Sequence, residues 1–291
     1  FKYMKNKLKL IFYLTLLFPF LLFQSCSDNK IEDMVEDENI YGVKDIYIKQ
    51  NISGISVQRK IIIQAPEQTD IKKYPIVFYF HGNGADAESG FILSDFVRDG
   101  EFVGIYPQGY KRSWNLGEEE SDADDIEFVN MIVEKLKSYS NLDIDNMFAI
   151  GTSNGSAMVN ELGIKTDHFN GIATLSSQLL TKQIPTSSTN PISVYQICGS
   201  NDEMVPYEGG ISKVGHIFKS AHESANDWAK AFNCNLNYSV EMMGIDRVFT
   251  YNNCIGENII KFKRIENGDH GLNGKHRERH IMIWEFFKKF I

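Results

Sequence analysis

The stretch Ile150-Gly151-Thr152-Ser153-Asn154-Gly155-Ser156 has the pattern G-x-S-x-G. An apolar run at 147–150 leads into it, and a helix-compatible segment at 157–162 follows it. This order predicts a serine on a tight turn between a strand and a helix, where small residues two positions to either side let the two elements approach closely. Such a pattern arises by chance in about one chain of this length in ten, so its context has to decide.

Strand-like and helix-like segments alternate along the rest of the chain. The predicted strands are 44–50, 55–64, 74–80, 102–106, 147–150, 171–175, 192–198 and 259–265. The predicted helices are 122–136, the segment after Ser153, 217–232 and 277–290. This alternation predicts an α/β fold with a mostly parallel, doubly wound sheet and helices on both faces. The first two strands are expected to pair antiparallel near one edge. We expect a single domain over 44–291, without a large lid.

Three candidate catalytic side chains follow predicted strands: Ser153, Asp202 and His270. Ligand sites of such sheets lie at the carboxyl ends of the strands, and the chain order Ser, Asp, His is that of α/β-hydrolases. In such a triad the imidazole takes the serine proton, and the carboxylate holds the imidazole in the correct tautomer. The alternatives are a turn residue for Asp202 and an ordinary loop histidine for His270.

A glycine-containing loop, His81-Gly82-Asn83-Gly84, follows the buried strand at 74–80. Hydrolases of this type place an oxyanion-hole loop there, and the residue after the nucleophile supplies a further main-chain N–H group. Asn83 and Asn154 are therefore the expected oxyanion-hole residues. A tight glycine turn without chemistry is the alternative.

The motifs between about residues 75 and 270 resemble those of secreted polyhydroxybutyrate depolymerase-like and feruloyl esterase-like hydrolases. The resemblance rests on His81-Gly82-Asn83-Gly84, Pro107-Gln108-Gly109, Ser113-Trp114-Asn115, Asp124-Asp125-Ile126-Glu127-Phe128, Gly151-Thr152-Ser153-Asn154-Gly155 and Asp202-Glu203-Met204-Val205-Pro206-Tyr207. It implies an α/β-hydrolase fold, Ser153 as nucleophile, and Asp202 and His270 as its partners. It also implies a pocket wall near Trp114, for which simple loop packing is the alternative.

The substrate-binding residues expected from the resemblance are His81, Gly82, Trp114, Asn115, Tyr207 and Leu272. The chain departs from the family pattern at two places. Ser156 stands where a second glycine is usual, and Gly271-Leu272-Asn273-Gly274 stands where the family has x-Trp-Pro-Gly. The missing tryptophan removes a large aromatic wall from the expected pocket.

The expected function is a serine esterase that cleaves carboxylic esters through an acyl-enzyme, with feruloyl or acetyl esters on polysaccharides as substrates. A polyhydroxyalkanoate-type polyester depolymerase, a serine peptidase of the same fold and a non-catalytic binding protein are the alternatives. No cofactor or metal is expected, because Asp122, Asp124 and Asp125 suit a helix start and His276 and His280 lack an evident third ligand.

The first 25 residues combine four lysines with an apolar run at 10–23, which is typical of a secretory signal peptide. The cysteine after them, Cys26, resembles a lipoprotein processing site. Residues 26–43 are acidic and predict a flexible tether. We therefore expect an exported cell-envelope lipoprotein, held in the outer membrane or at the cell surface by an N-terminal lipid anchor. The net charge of −8 argues against a nucleic-acid partner, and the oligomeric state stays open.

Three further cysteines remain. Cys198 lies in an apolar run and predicts a buried thiol. Cys234 and Cys254 lie in asparagine-rich surroundings suited to a surface crosslink, and in an exported protein such a pair predicts a disulfide, with two unpaired surface thiols as the alternative. The family resemblance supports the pairing.

Overall fold

The computed structural model describes residues 38–67 and 73–291, which form a ten-stranded sheet with helices against both faces, and a separate two-stranded sheet. The strands are β1 (Gly42–Ile52), β2 (Ile55–Ala65), β3 (Tyr74–Phe80), β4 (Val103–Pro107), β5 (Leu142–Thr152), β6 (Gly171–Leu175), β7 (Ser193–Gly199), β8 (Gly210–Ile211), β9 (Ile217–Phe218), β10 (Ser239–Met243), β11 (Asp246–Tyr251) and β12 (Ile260–Ile265). The α-helices are α1 (Ser94–Arg98), α2 (Asp125–Leu136), α3 (Asn154–Lys165), α4 (Ala221–Ala231) and α5 (His276–Phe287). Short 3-10 helices cover Ala87–Leu93, Tyr110–Arg112, Ile255–Glu257 and Lys288–Phe290.

The strand order in the large sheet is β1-β2-β4-β3-β5-β6-β7-β12-β11-β10. The central strands from β4 to β12 pair in parallel. The outer strands on both sides pair antiparallel. The predicted mostly parallel sheet is confirmed, as is the antiparallel pair at one edge. The strands β3 and β4 could be recognised because they are apolar and fully buried, as is typical of strands covered on both faces.

The side chains of β3 divide between two apolar cores. Ile76 and Phe78 belong to the core that contains residues of α2, α3 and α4. Val77 and Tyr79 belong to the core that contains residues of α1 and α5. Because successive side chains of a strand point to opposite faces, the helices cover both faces of the sheet, as predicted.

The folded unit begins earlier than residue 44, where we expected the tether to end. The Ile40 side chain is buried, and its main-chain N–H donates to Asn141 Oδ1 at 3.0 Å. Residues 38–43 therefore belong to the folded unit. The predicted signal peptide, Cys26 and the rest of the predicted tether lie outside the described residues.

Two elements differ from the sequence prediction. The helix expected over 217–232 begins at Ala221, because Ile217 and Phe218 pair with β8 and Ser220 caps the helix. The antiparallel hairpin of β10 and β11 was not predicted. Every residue of β10 is exposed, so the strand lacks the buried side that makes a strand recognisable in a sequence.

The start of α2 was predicted in part. Asp124 caps the helix by accepting a hydrogen bond from Glu127 N–H at 2.9 Å, as expected. Asp125 has another role, because its buried carboxylate pairs with the buried Arg59 guanidinium at 2.8 Å. Burial raises the pKa of Asp125, against the effect of Arg59.

Candidate active site

Ser153 occupies a strained turn between β5 and α3. Its φ of 55° and ψ of −119° lie outside the regions that residues with a side chain normally adopt. A Cβ atom at Gly151 would lie 2.3 Å from Gly155 O, and one at Gly155 would lie 2.1 Å from Phe80 O. Both positions therefore require glycine, for the close approach that the sequence pattern predicted.

The three candidate catalytic side chains meet at the carboxyl ends of β5, β7 and β12. His270 Nε2 lies 2.9 Å from Ser153 Oγ, and His270 Nδ1 lies 2.7 Å from Asp202 Oδ2. Asp202 Oδ1 accepts main-chain N–H bonds from Met204 at 2.8 Å and Val205 at 2.9 Å. With Nδ1–H directed at the carboxylate, Nε2 is left as the acceptor that faces the serine hydroxyl.

The loop that carries His270 is fixed from two sides. Ser176 Oγ donates to the main-chain oxygen of His270 at 2.6 Å. Arg279 Nη1 on α5 donates to Leu272 O at 3.0 Å. These bonds hold the imidazole on a loop whose main chain has positive φ at Leu272 and Asn273.

The loop after β3 lies against the nucleophile. A Cβ atom at Gly82 would lie 3.6 Å from Ser153 Cβ, and Asn83 and Asn154 line the same cavity as Ser153. Asn154 is the first residue of α3, so its main-chain N–H has no acceptor within the helix. Both expected oxyanion-hole residues therefore lie beside Ser153.

A cavity of about 670 Å³ opens above Ser153 and His270. One wall comes from the segment 111–120 after β4, and the other comes from the segment 204–218 after β7. The apolar side chains that line the cavity are Leu116, Ala157, Met204, Val205, Val214 and Phe218, of which Ala157 belongs to α3 and the others to these walls. The sequence prediction included none of them.

Four of the expected substrate-binding side chains are buried in packing instead. His81, Trp114, Tyr207 and Leu272 are each at most 5% exposed, and none of them lines this cavity. Trp114 Nε1 donates to His81 O at 2.9 Å, and its ring packs against Phe80 with the centroids 5.0 Å apart. The pocket wall expected from Trp114 is therefore wrong, and the alternative of loop packing is correct.

His81 has a supporting role in the loop. Its Nε2 accepts a hydrogen bond from Gly109 N–H at 3.0 Å, so its Nδ1–H is the donor to Gly82 O at 2.8 Å. Burial lowers the pKa of His81, which keeps the ring neutral as these two bonds require.

Asn115 and Leu272 also have partners other than a substrate. Asn115 Nδ2 donates to Ala123 O at 3.0 Å, which places its side chain in the loop before α2. Leu272 belongs to the core beside α5. It does not replace the aromatic wall that the family pattern has near this position.

A second histidine–carboxylate pair lines the cavity and was not predicted. Glu119 Oε1 lies 2.6 Å from His216 Nε2, with the side chains 8% and 6% exposed. Burial tends to raise the pKa of Glu119. The hydrogen bonds from His216 and from the main-chain N–H of Leu116 outweigh this effect, so that the pKa lies below its ordinary value. The two residues are 97 positions apart in the sequence, and neither directly follows a predicted strand.

The cysteines of the described chain are as expected, except that the disulfide does not lie on the surface. Cys234 and Cys254 form a disulfide. Both are 7% exposed, so this link is buried rather than on the surface. Cys198 is a buried free thiol, and burial raises its pKa.

Over residues 38–67 and 73–291, no cluster of three or more His, Cys, Asp or Glu side chains could hold a metal ion. No helix in this part of the protein has the length and apolar character needed to cross a membrane.

The chain is similar in sequence to proteins named as esterases. No family model matches the chain. Over 251 residues the chain is 28% identical to Feruloyl esterase B of Piromyces equi, a match that covers 80% of this chain and 45% of that protein. It is also 28% identical over 144 residues to the putative esterase NocK of Nocardia uniformis subsp. tsuyamanensis, covering 46% of this chain and 42% of that protein. The chain thus spans less than half the length of either relative.

Comparison with solved structures gives the same fold. The acetyl xylan esterase from Aspergillus awamori superposes with a TM-score of 0.60 at 12% identity, over 84% of this chain and 99% of that one. At such an identity the likeness concerns the fold alone. Together with the strand order, it confirms the predicted α/β-hydrolase fold. The sequence matches confirm the predicted resemblance to feruloyl esterase-like hydrolases.

Proposed function

We propose that this protein is a serine hydrolase that cleaves carboxylic esters through an acyl-enzyme. The observation that carries the proposal is the continuous hydrogen-bonded series from Asp202 through His270 to Ser153, with N–O distances of 2.7 and 2.9 Å. It ends at a serine beside an open cavity, where an ester can reach it. The esterase names of the related proteins support the same reaction class.

The proposed reaction begins when His270 Nε2 accepts the Ser153 proton as Oγ attacks the ester carbonyl carbon. The carbonyl oxygen gains negative charge and accepts hydrogen bonds from the main-chain N–H groups of Asn83 and Asn154. The imidazolium then gives its proton to the departing alcohol, which leaves an acyl group on Ser153. A water molecule, deprotonated by His270, attacks the carbonyl carbon of this acyl group. The bond to Ser153 Oγ then breaks, His270 returns the proton to Oγ, and the acid is released.

We further propose feruloyl or acetyl esters carried by polysaccharides as the substrates. One relative is named a feruloyl esterase, and one structure of the same fold is an acetyl xylan esterase. An open cavity with an apolar wall suits an acyl group whose alcohol is part of a bulky polymer.

Export as a lipoprotein through Cys26 is a separate proposal. Its support is the sequence pattern of residues 1–26 and the Cys234–Cys254 disulfide, since disulfides persist mainly outside the reducing cytosol. Mass spectrometry of the protein purified from its native membrane would test it. We expect a diacylglyceryl group on Cys26, and an unmodified Cys26 would contradict the proposal.

The proposed function is tested with a fluorophosphonate probe and a substrate panel. We expect the probe to label the wild type at Ser153 and to leave Ser153→Ala unlabelled. Methyl ferulate, acetylated xylan and short hydroxybutyrate oligomers then separate the substrate classes. An unlabelled wild type would overturn the serine-hydrolase proposal, and hydrolysis of only the hydroxybutyrate oligomers would overturn the polysaccharide-ester proposal.

A further inference from the structure

We infer that Glu119 is a positioning residue, which acts on the proposed oxyanion hole through the side chain of Asn154. The inference rests on the proposed function, because it concerns the main-chain N–H group that follows Ser153. Asn154 is joined to both parts of the site: its main chain continues the nucleophile turn, and its side chain reaches the loop that forms one wall of the cavity.

The side chain of Asn154 makes hydrogen bonds at both ends. Its Oδ1 accepts a bond from Trp114 N–H at 2.8 Å. Its Nδ2 donates to Trp114 O at 3.1 Å and to Glu119 Oε1 at 2.8 Å. Because Trp114 is fully buried, the first two bonds tie Asn154 to a rigid part of the fold. Ser113 Oγ adds a longer bond to Asn154 Oδ1 at 3.4 Å, and the bond to Glu119 takes the second N–H of the amide group.

Glu119 is itself held by both walls of the cavity. Its Oε2 accepts a bond from Leu116 N–H at 2.8 Å, within its own loop. Its Oε1 lies 2.6 Å from His216 Nε2, and His216 lies between β8 and β9 in the wall formed by 204–218. A carboxylate that accepts bonds on both oxygens in a buried setting has a well-defined orientation. A shift of either wall would therefore move the Glu119 carboxylate, and with it the acceptor of the Asn154 amide group.

This arrangement predicts a specific kinetic signature. A displaced N–H group at residue 154 would weaken the hydrogen bond to the negatively charged oxygen of the transition state more than any bond to the neutral ester. Loss of Glu119 should therefore lower kcat and leave KM nearly unchanged. A role limited to stability would lower the melting temperature instead.

The test uses Glu119→Ala, Asn154→Ala and the double variant with p-nitrophenyl acetate, an ester too short to depend on the cavity walls. Complete loss of one oxyanion-hole donor lowers kcat by about 100-fold or more. For a donor that is only misplaced, we expect about a tenfold loss in each single variant, with KM within about twofold. If Glu119 acts through Asn154, the two losses will not multiply in the double variant.

The matched control is Asp227→Asn, which weakens another largely buried ion pair, between Asp227 Oδ2 and Lys219 Nζ at 2.6 Å; neither residue bonds to Asn154. We expect it to lower the melting temperature without changing kcat.

An unchanged kcat in Glu119→Ala, or losses that multiply in the double variant, would overturn the positioning role. Fluorophosphonate labelling of the wild type distinguishes the two failures. Without labelling the proposed function falls, and the positioning role falls with it. With normal labelling but an unchanged kcat in Glu119→Ala, only the positioning role falls.

Discussion

Two histidine–carboxylate pairs each contribute a histidine to the lining of one cavity, and they differ in what else the pair contacts. His270 and Asp202 are 2.7 Å apart, and His216 and Glu119 are 2.6 Å apart. In the first pair the other ring nitrogen reaches Ser153 Oγ. In the second pair the carboxylate oxygen that faces the histidine also accepts a bond from an asparagine amide. A histidine–carboxylate pair can therefore serve proton transfer when the histidine contacts a serine hydroxyl, and hold a cavity wall in place when the carboxylate contacts an amide.

The largest expected effect separates the two histidines. His270→Ala removes the proposed general base, and in serine hydrolases such a loss lowers kcat by about a millionfold. His216→Ala removes only a bond to Glu119, so we expect a loss of about tenfold, as for a misplaced oxyanion-hole donor. Steady-state kinetics with p-nitrophenyl acetate measures both variants. Losses of similar size would show that the two pairs are not functionally distinct.

The two carboxylates give the next effect. Asp202→Asn places an amide beside His270 Nδ1 and favours the wrong tautomer, which costs about 10⁴-fold in kcat. Glu119→Gln keeps an acceptor for Asn154, so we expect a loss of at most about tenfold. Kinetics and circular dichroism should be measured on the same preparations, so that a folding defect is recognised. Full activity in Asp202→Asn would exclude Asp202 as the partner of His270.

A third histidine, without a carboxylate partner, gives the smallest expected effect. Burial lowers the pKa of His280 to about 4, and its Nδ1 bonds to the main-chain oxygen of His276 at 2.7 Å. In the unfolded chain the His280 ring is protonated below its ordinary pKa of about 6.5. In the folded protein the ring stays neutral until the pH reaches about 4. As the pH is lowered from about 6.5 to about 4, the free energy of unfolding should therefore decrease by about 1.4 kcal/mol per pH unit because of this residue.

The variant His280→Gln removes the titrating ring and should lose less stability than the wild type between pH 6.5 and 4. Urea unfolding at several pH values measures the difference, and other titrating groups cancel in the comparison. Parallel pH profiles of the two proteins would contradict the prediction.

The contrast between the two pairs also explains which parts of the site could be predicted from the sequence. Ser153 and Asp202 each follow a strand that was recognisable by its apolar run, and His270 follows the predicted strand at 259–265. Parallel strands bring their carboxyl ends to one edge of the sheet. Glu119 and His216 lie in loop segments whose meeting depends on the tertiary path of both. No local pattern marks such a pair.

The failed substrate-binding predictions have a related cause. Trp114 and Tyr207 lie in loops near the site, but sequence proximity does not tell whether a side chain faces the cavity or the core. Large aromatic side chains gain most from burial, and here both turn inward. The strands and helices of the central sheet were predictable because their periodicity reports burial directly. The exposed strand β10 was not, because it carries no such periodicity.

The close approach at Gly155 has a consequence for redesign of this protein. A methyl group at Gly155 would overlap Phe80 O. The nucleophile turn and the end of β3 therefore form one block, in which neither part can shift without moving the other. The apolar wall side chains Met204, Val214 and Phe218 can vary without removing the bonds from Trp114 and Glu119 that hold Asn154. A mutant library aimed at these three positions should therefore retain many folded members with altered substrate preference, whereas a library aimed at 151–155 should retain few.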